Sequence, residues 1–137
     1  MRGRWKGTVL VVDDRQEVCL FFQEVLGLEG YAVAVARSGQ EALAALEKGC
    51  PDLVFLDLRM PGMDGIETLR RIRAKETGAK VVIVTAHPDL QTAREAMVLG
   101  ASDYLGNPFD PDLLRQVVED RVRSPAPWPP RGGGVEG

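Results

Sequence analysis

Five short apolar runs alternate with five stretches of helical periodicity along this chain, and that alternation restricts the fold more than any single residue does. Thr8–Val12, Tyr31–Ala36, Leu53–Asp57, Lys80–Thr85 and Ser102–Leu105 read as strands. After the first run, Val18, Leu20, Phe21, Phe22, Val25, Leu26 and Leu28 recur at helical spacing, which predicts a helix over about 15–29 closed by Gly27 or Gly30. Ser38 followed by Glu41 matches a capping box opening a helix to about Lys48. Ile66, Leu69 and Ile72 predict a helix to about Lys75, and Leu90, Ala93, Ala96 and Met97 one closed by Gly100. Asp110 caps a last helix with Leu113, Leu114, Val117 and Val118 facing inward.

Strict alternation implies right-handed crossovers and a parallel sheet covered on both faces. The expected architecture is α/β, a flavodoxin-like (βα)5 fold with strand order 2-1-3-4-5. In that order the first and third strands are neighbours at the switch point, where open α/β sheets hold their ligands.

Both of those strands run into aspartate: Val11-Val12 into Asp13-Asp14, and Phe55-Leu56 into Asp57. Three carboxylates gathered at one sheet edge repel one another, so the cluster must hold a proton or bind a cation. A hard site of carboxylate, carbonyl and water oxygens suits Mg²⁺, which would let a phosphate approach an otherwise anionic spot. Thr85, closing the fourth strand, adds a hydroxyl that can donate to a phosphoryl oxygen. Asp57 ends the central strand and is the natural nucleophile for an aspartyl phosphate. The competing explanation is that aspartates follow strand ends as turn residues or helix caps. It serves for Asp13-Asp14 alone, and poorly once Asp57 and Thr85 stand at matching strand ends. Asp52 and Asp64 read as turn or capping residues.

Composition narrows the rest. With 45% hydrophobic and 27% charged residues, 137 residues make one domain with a real core. A net charge of -3 gives no general attraction for a phosphate backbone, so direct binding of nucleic acid is not expected. No stretch approaches the ~20 apolar residues that span a bilayer, so no membrane association is expected. Residues 1–7 read as a basic lead-in, 8–123 as the domain, and 124–137 as a proline- and glycine-rich tail or linker in which Trp128 offers a docking group. Cys19 and Cys50 lack metal-ligand spacing and read as small buried hydrophobes in a reducing cytoplasm.

From about Thr8 to Arg123 the chain resembles bacterial response-regulator receiver domains of two-component systems. The likeness is carried by Val11-Val12-Asp13-Asp14, by Leu56-Asp57-Leu58-Arg59-Met60-Pro61-Gly62-Met63-Asp64-Gly65, by Val84-Thr85-Ala86, and by Gly100 to Phe109. The resemblance implies that Asp57 accepts phosphate from a histidine kinase or phosphotransfer protein in the cytoplasm. It implies that Asp14, Asp57 and the backbone carbonyl of Arg59 ligate Mg²⁺, with Asp13 acting mostly through a metal-bound water. Thr85 and Tyr104 match the family's switch pair, whose movement remodels the face made by the fourth helix, fifth strand and fifth helix, where a target protein binds. A homodimer formed on phosphorylation is compatible with it. Arg59 and His87 fall two residues after Asp57 and Thr85, at positions that tune phosphate gain and loss in the family. His87 is the only histidine, so the phosphoryl donor must be another protein or a small acyl phosphate.

The pattern breaks at Asn107-Pro108, where the family has a lysine before the proline. An amide donates hydrogen bonds but carries no charge, and charge-assisted bonds are roughly twice as strong as neutral ones. Either activation is weakened, or Asn107 merely forms a turn while Arg59 or Arg37 supplies the cation. The alternative to a phosphoacceptor is a pseudo-receiver, a constitutive protein-interaction domain. An enzyme is not expected, because a hydrolase using Asp57 would want a second carboxylate two residues on, where Arg59 stands.

Overall fold

A computed structural model describes residues 5–59, 65–75, 78–85, 90–106 and 110–123. Its elements are β1 (Gly7–Val12), α1 (Gln16–Leu28), β2 (Tyr31–Ala36), α2 (Gly39–Lys48), β3 (Leu53–Asp57), α3 (Gly65–Ala74), β4 (Lys80–Thr85), α4 (Leu90–Val98), β5 (Asp103–Gly106) and α5 (Pro111–Arg123). The strands form one parallel sheet in the order β2-β1-β3-β4-β5, as the alternation predicts.

Side chains alternate across a strand, so each strand feeds two cores. Leu10, Val12, Val54, Leu56, Val81 and Ile83 pack with α2, α3 and α4 through Leu46, Leu69, Ile72 and Ala96. Val9, Val11, Leu53, Phe55, Val82 and Val84 pack with α1 and α5 through Phe22, Leu26, Leu114 and Val118. The rings of Phe22 and Phe55 stand 4.9 Å apart beneath the end of β3. β1, β3 and β4 are therefore apolar on both faces, and this explains why their runs lack the polar alternation of a half-exposed strand.

Local chemistry sets the helix ends. The Ser38 hydroxyl accepts from the Glu41 N–H at 3.1 Å, while the Glu41 carboxylate accepts from the Arg37 N–H at 2.8 Å, one residue before the cap. The Asp110 carboxylate accepts from the Asp112 N–H at 3.0 Å and opens α5. Gly100 closes α4 at φ +109, and the Ala101 N–H reaches back to the Ala96 carbonyl at 3.0 Å, a six-to-one closure that a left-handed glycine permits.

Several sequence expectations need correction. Cys50 is exposed, in the link from α2 to β3, at the mouth of an apolar cavity of about 330 Å³ lined by β1, β2 and the end of α2. Cys19 is buried as expected. Leu113 faces outward on α5, as do Leu20 and Leu28 on α1 and Leu90 and Met97 on α4. Helical spacing finds these helices but overstates the width of their buried faces, because a helix on a sheet buries only one stripe. Asp52 sits in the bend before β3, and it has a further role: its carboxylate accepts the Thr8 N–H at 2.9 Å and ties the start of β3 to β1. The lead-in is also partly anchored, with the Lys6 N–H on the Gly30 carbonyl at 2.8 Å and its ammonium over the Tyr31 ring. Asp64, and Trp128 with the rest of residues 124–137, lie outside the described residues.

Candidate functional site

The parallel register places Val12 beside Leu56, so the next residues, Asp13 and Asp57, leave the sheet at the same level. Asp57 in turn lies beside Val84, one residue before Thr85. One ligand oxygen from each of Asp13, Asp14 and Asp57 lies within 4.8 Å of the other two. The sheet edge thus brings together the three acids that the sequence singled out.

Each acid is positioned by its own loop. The Asp13 N–H extends the β1–β2 ladder to the Ala36 carbonyl at 3.0 Å. Its carboxylate Oδ1 accepts from the Arg15 N–H at 2.9 Å and from Arg15 Nε at 3.4 Å. The Asp14 carbonyl accepts two bonds from the Arg37 guanidinium, at 3.2 and 2.9 Å. Asp57 Oδ1 accepts from the Arg59 N–H at 3.0 Å, which fixes the orientation of the carboxylate. Arg37 and Arg59, the stand-in cations that the sequence suggests, make no ion pair with the cluster; among the described residues Arg15 is the one basic side chain that does.

Gly65 is a further part that the spacing did not disclose. A Cβ there would lie 2.2 Å from Leu58 Cα and 2.8 Å from the Asp57 carbonyl oxygen, both backbone atoms that cannot step aside. The Gly65 N–H also donates to the Leu58 carbonyl at 3.2 Å, so α3 starts directly against the chain that carries Asp57. Gly65→Ala is expected to cost about 1–3 kcal/mol in a urea melt, the range for overpacking a closed site. It should also displace Asp57, read as slower modification of that residue; an unchanged melt would show that the backbone here yields freely.

The electrostatics of the cluster suit a cation. Asp57 is 3% exposed and Asp13 1%. Burial, with neighbouring acids adding to it, lifts the Asp57 carboxyl to about 6, against the pull of the Arg59 N–H and the Arg15 charge. Burial also raises Asp13 above the ordinary carboxylate range. Two buried carboxylates and a half-buried third are more than one guanidinium at 3.4 Å offsets. This all-oxygen donor set fits a divalent ion such as Mg²⁺.

Thr85 is 4% exposed at the end of β4. Tyr104 on β5 is paired with Ile83, two residues before Thr85, and packs against the same core as Ile83. Thr85 and Tyr104 therefore share a sheet face on adjacent strands. Ala86, His87 and Asn107 lie outside the described residues. No described helix is long and apolar enough to cross a membrane.

Comparison with known proteins places this arrangement. The response regulator receiver domain family model matches residues 9–119. Sporulation initiation phosphotransferase F of Bacillus subtilis is 40% identical over 111 residues, covering 81% of this chain and 90% of that protein. The transcriptional regulatory protein ZraR of Salmonella typhimurium is 44% identical over 116 residues, 85% of this chain but only 26% of that protein. Among solved structures, the receiver domain of NtrX from Brucella abortus superposes with a TM-score of 0.80 at 33% identity, covering 85% of this chain and 98% of that one.

Proposed function

The chain belongs to the response regulator receiver domains, the phosphorylation-dependent signalling modules of two-component systems, and from that premise we propose that Asp57 is its phosphoacceptor. The observation that carries the reading is the convergence of Asp13, Asp14 and Asp57 at the end of β1 and β3, with Asp57 buried and oriented by a backbone N–H.

In the proposed reaction, Asp57 Oδ2 attacks the phosphorus of a phosphohistidine or of a small acyl phosphate. The new P–O bond forms as the bond to the imidazole nitrogen, or to the acyl oxygen, breaks, and the leaving group departs with the electron pair. Asp57 must be ionised to attack, and with a carboxyl at about 6 it is mostly so at pH 7. The Arg59 N–H holds the carboxylate in one orientation throughout. Asp13, Asp14, Asp57 and the Arg59 carbonyl would hold Mg²⁺, which when bound offsets the negative charge of the acids and of the incoming phosphoryl group. In this reading the Thr85 hydroxyl would donate to a phosphoryl oxygen and Tyr104 would follow it, which would alter the surface of α4, β5 and α5. Arg59 and His87 would tune the rates, and a histidine kinase or phosphotransfer protein would be the donor in the cytoplasm. Residues 8–123 form the signalling unit in this reading, with 124–137 as tail or linker. Regulators such as ZraR carry further sequence over most of their length, and this chain matches 26% of that protein.

Incubating the protein with acetyl phosphate and Mg²⁺ is expected to add one phosphoryl group as an acyl phosphate, seen by intact mass and released by hydroxylamine, and excess EDTA should abolish it. No mass shift at saturating donor would overturn the phosphoacceptor reading in favour of a constitutive interaction domain.

A further inference from the structure

Arg15 is the residue of the acidic site that the phosphoacceptor reading leaves without a task. It stands directly after Asp13-Asp14, at the N-cap of α1, where its backbone is extended at φ -95 and ψ 121 and its side chain makes no cap. Its carbonyl opens the helix by accepting from Val18 and Cys19, both at 3.2 Å. The side chain instead turns back, and Nε reaches Asp13 Oδ1 at 3.4 Å. The same oxygen already accepts the Arg15 N–H at 2.9 Å. Asp13 orientation is thus secured by the backbone, and the guanidinium adds charge to an oxygen that does not need it for placement.

We propose that Arg15 is a resident counter-cation of the acidic cluster, occupying Asp13 until a divalent ion enters and thereby setting how tightly that ion is held. The inference rests on the acidic cluster being the phosphoacceptor's metal site. Asp13 is almost wholly buried, so a charge beside it acts through little water. Arg15 is half-exposed, with its side chain 41% accessible, so it can leave Asp13 without crossing the core. A positive group so close lowers the attraction of the three acids for a second cation, while it stabilises the metal-free cluster. Phosphoryl uptake then depends on free Mg²⁺ over a higher range than three uncompensated acids would set.

The test measures Mg²⁺ affinity by calorimetry, and thermal midpoints with and without Mg²⁺, for the parent, Arg15→Gln and Arg15→Lys. Arg15→Gln keeps the backbone bond to Asp13 and removes the charge, so it should bind Mg²⁺ about three- to tenfold more tightly. It should also melt lower than the parent in metal-free buffer at pH 7, and gain more from saturating Mg²⁺. Arg15→Lys restores the charge and should stay near the parent. Equal or weaker Mg²⁺ binding by Arg15→Gln overturns the proposal, as does an Arg15→Lys that behaves like Arg15→Gln. Phosphorylation by acetyl phosphate is scored separately on the same samples. If the affinities separate but nothing is phosphorylated, the phosphoacceptor reading fails and Arg15 keeps its role. If Asp57 is phosphorylated and the affinities coincide, only the counter-cation is lost.

Discussion

Asp57→Asn should abolish phosphoryl uptake and, in the same protein without Mg²⁺, raise stability at pH 7 by about 2–3 kcal/mol. The first effect follows from removing the nucleophile: an amide oxygen has no charge to donate. The second follows from linkage. In the unfolded chain an aspartate titrates near 3.9, whereas the folded Asp57 carboxyl sits at about 6. Between those values the folded state holds a proton that the unfolded state has released, so stability falls as pH rises from about 4 to about 6 and is level beyond. Each pKa unit corresponds to roughly 1.4 kcal/mol, which gives the size of the effect at pH 7. The raised Asp13 carboxyl acts in the same direction. Asparagine carries no charge to be repelled, so its advantage should vanish near pH 4. Saturating Mg²⁺ should narrow or reverse it, since an ion that binds only the folded state stabilises the parent more. Urea melts at pH 4.5 and 7, with and without Mg²⁺, would check all three; equal stability of the two proteins at pH 7 without metal would show that the cluster is not electrostatically strained.

Much of this arrangement was legible before any coordinates. The limits of β3 and β4 can be read because both strands are buried on two faces, so Leu53–Leu56 and Val81–Val84 are unbroken apolar runs that end on an aspartate and a threonine. Ser38 and Glu41 marked the start of α2 through side-chain bonds that depend only on local spacing. The meeting of Asp13, Asp14 and Asp57 depends on strand order; alternation and crossover handedness leave a few orders open, and the flavodoxin-like one puts β1 beside β3. What spacing could not show is which neighbour in space claims each charge. Arg15 lies beside the acids in the chain but reads there as an ordinary helix-start residue, and only the extended backbone at its cap turns it towards Asp13. Gly65 looks like turn punctuation; its necessity comes from a backbone contact with Leu58, made when the loop returns onto β3. Cys50 was misread because cysteine is usually buried, while its exposure depends on the path of the link after α2.

Asn107→Lys should strengthen the response of the α4–β5 surface to phosphorylation. Asn107 follows Gly106 in the chain, and Gly106 is paired with Thr85 at the end of β4, so the substitution adds a cation one residue beyond the strand pair that carries Thr85 and Tyr104. An ammonium that bonds a phosphoryl oxygen gains a charge-assisted interaction where the amide has a neutral one, a difference of about 1–2 kcal/mol. If that bond forms only after phosphorylation, the shifted conformation should be favoured about five- to thirtyfold more than in the parent. The ammonium would also lower the Asp57 carboxyl and, like Arg15, oppose Mg²⁺, so the variant should need more metal for half-maximal uptake. Hydrogen–deuterium exchange before and after acetyl phosphate reads the conformational part directly. The parent should show a small change over Leu90–Val98 and Asp103–Gly106, Asn107→Lys a larger one, and Asn107→Gln the parent's. The gain should disappear in Asp57→Asn/Asn107→Lys, because without the phosphoryl group the lysine has nothing to couple. A lysine variant whose exchange changes match the parent's would mean that Asn107 does not set the strength of the signal, and that the cation needed by the phosphoryl group is already supplied, Arg15 beside Asp13 being one candidate among the described residues.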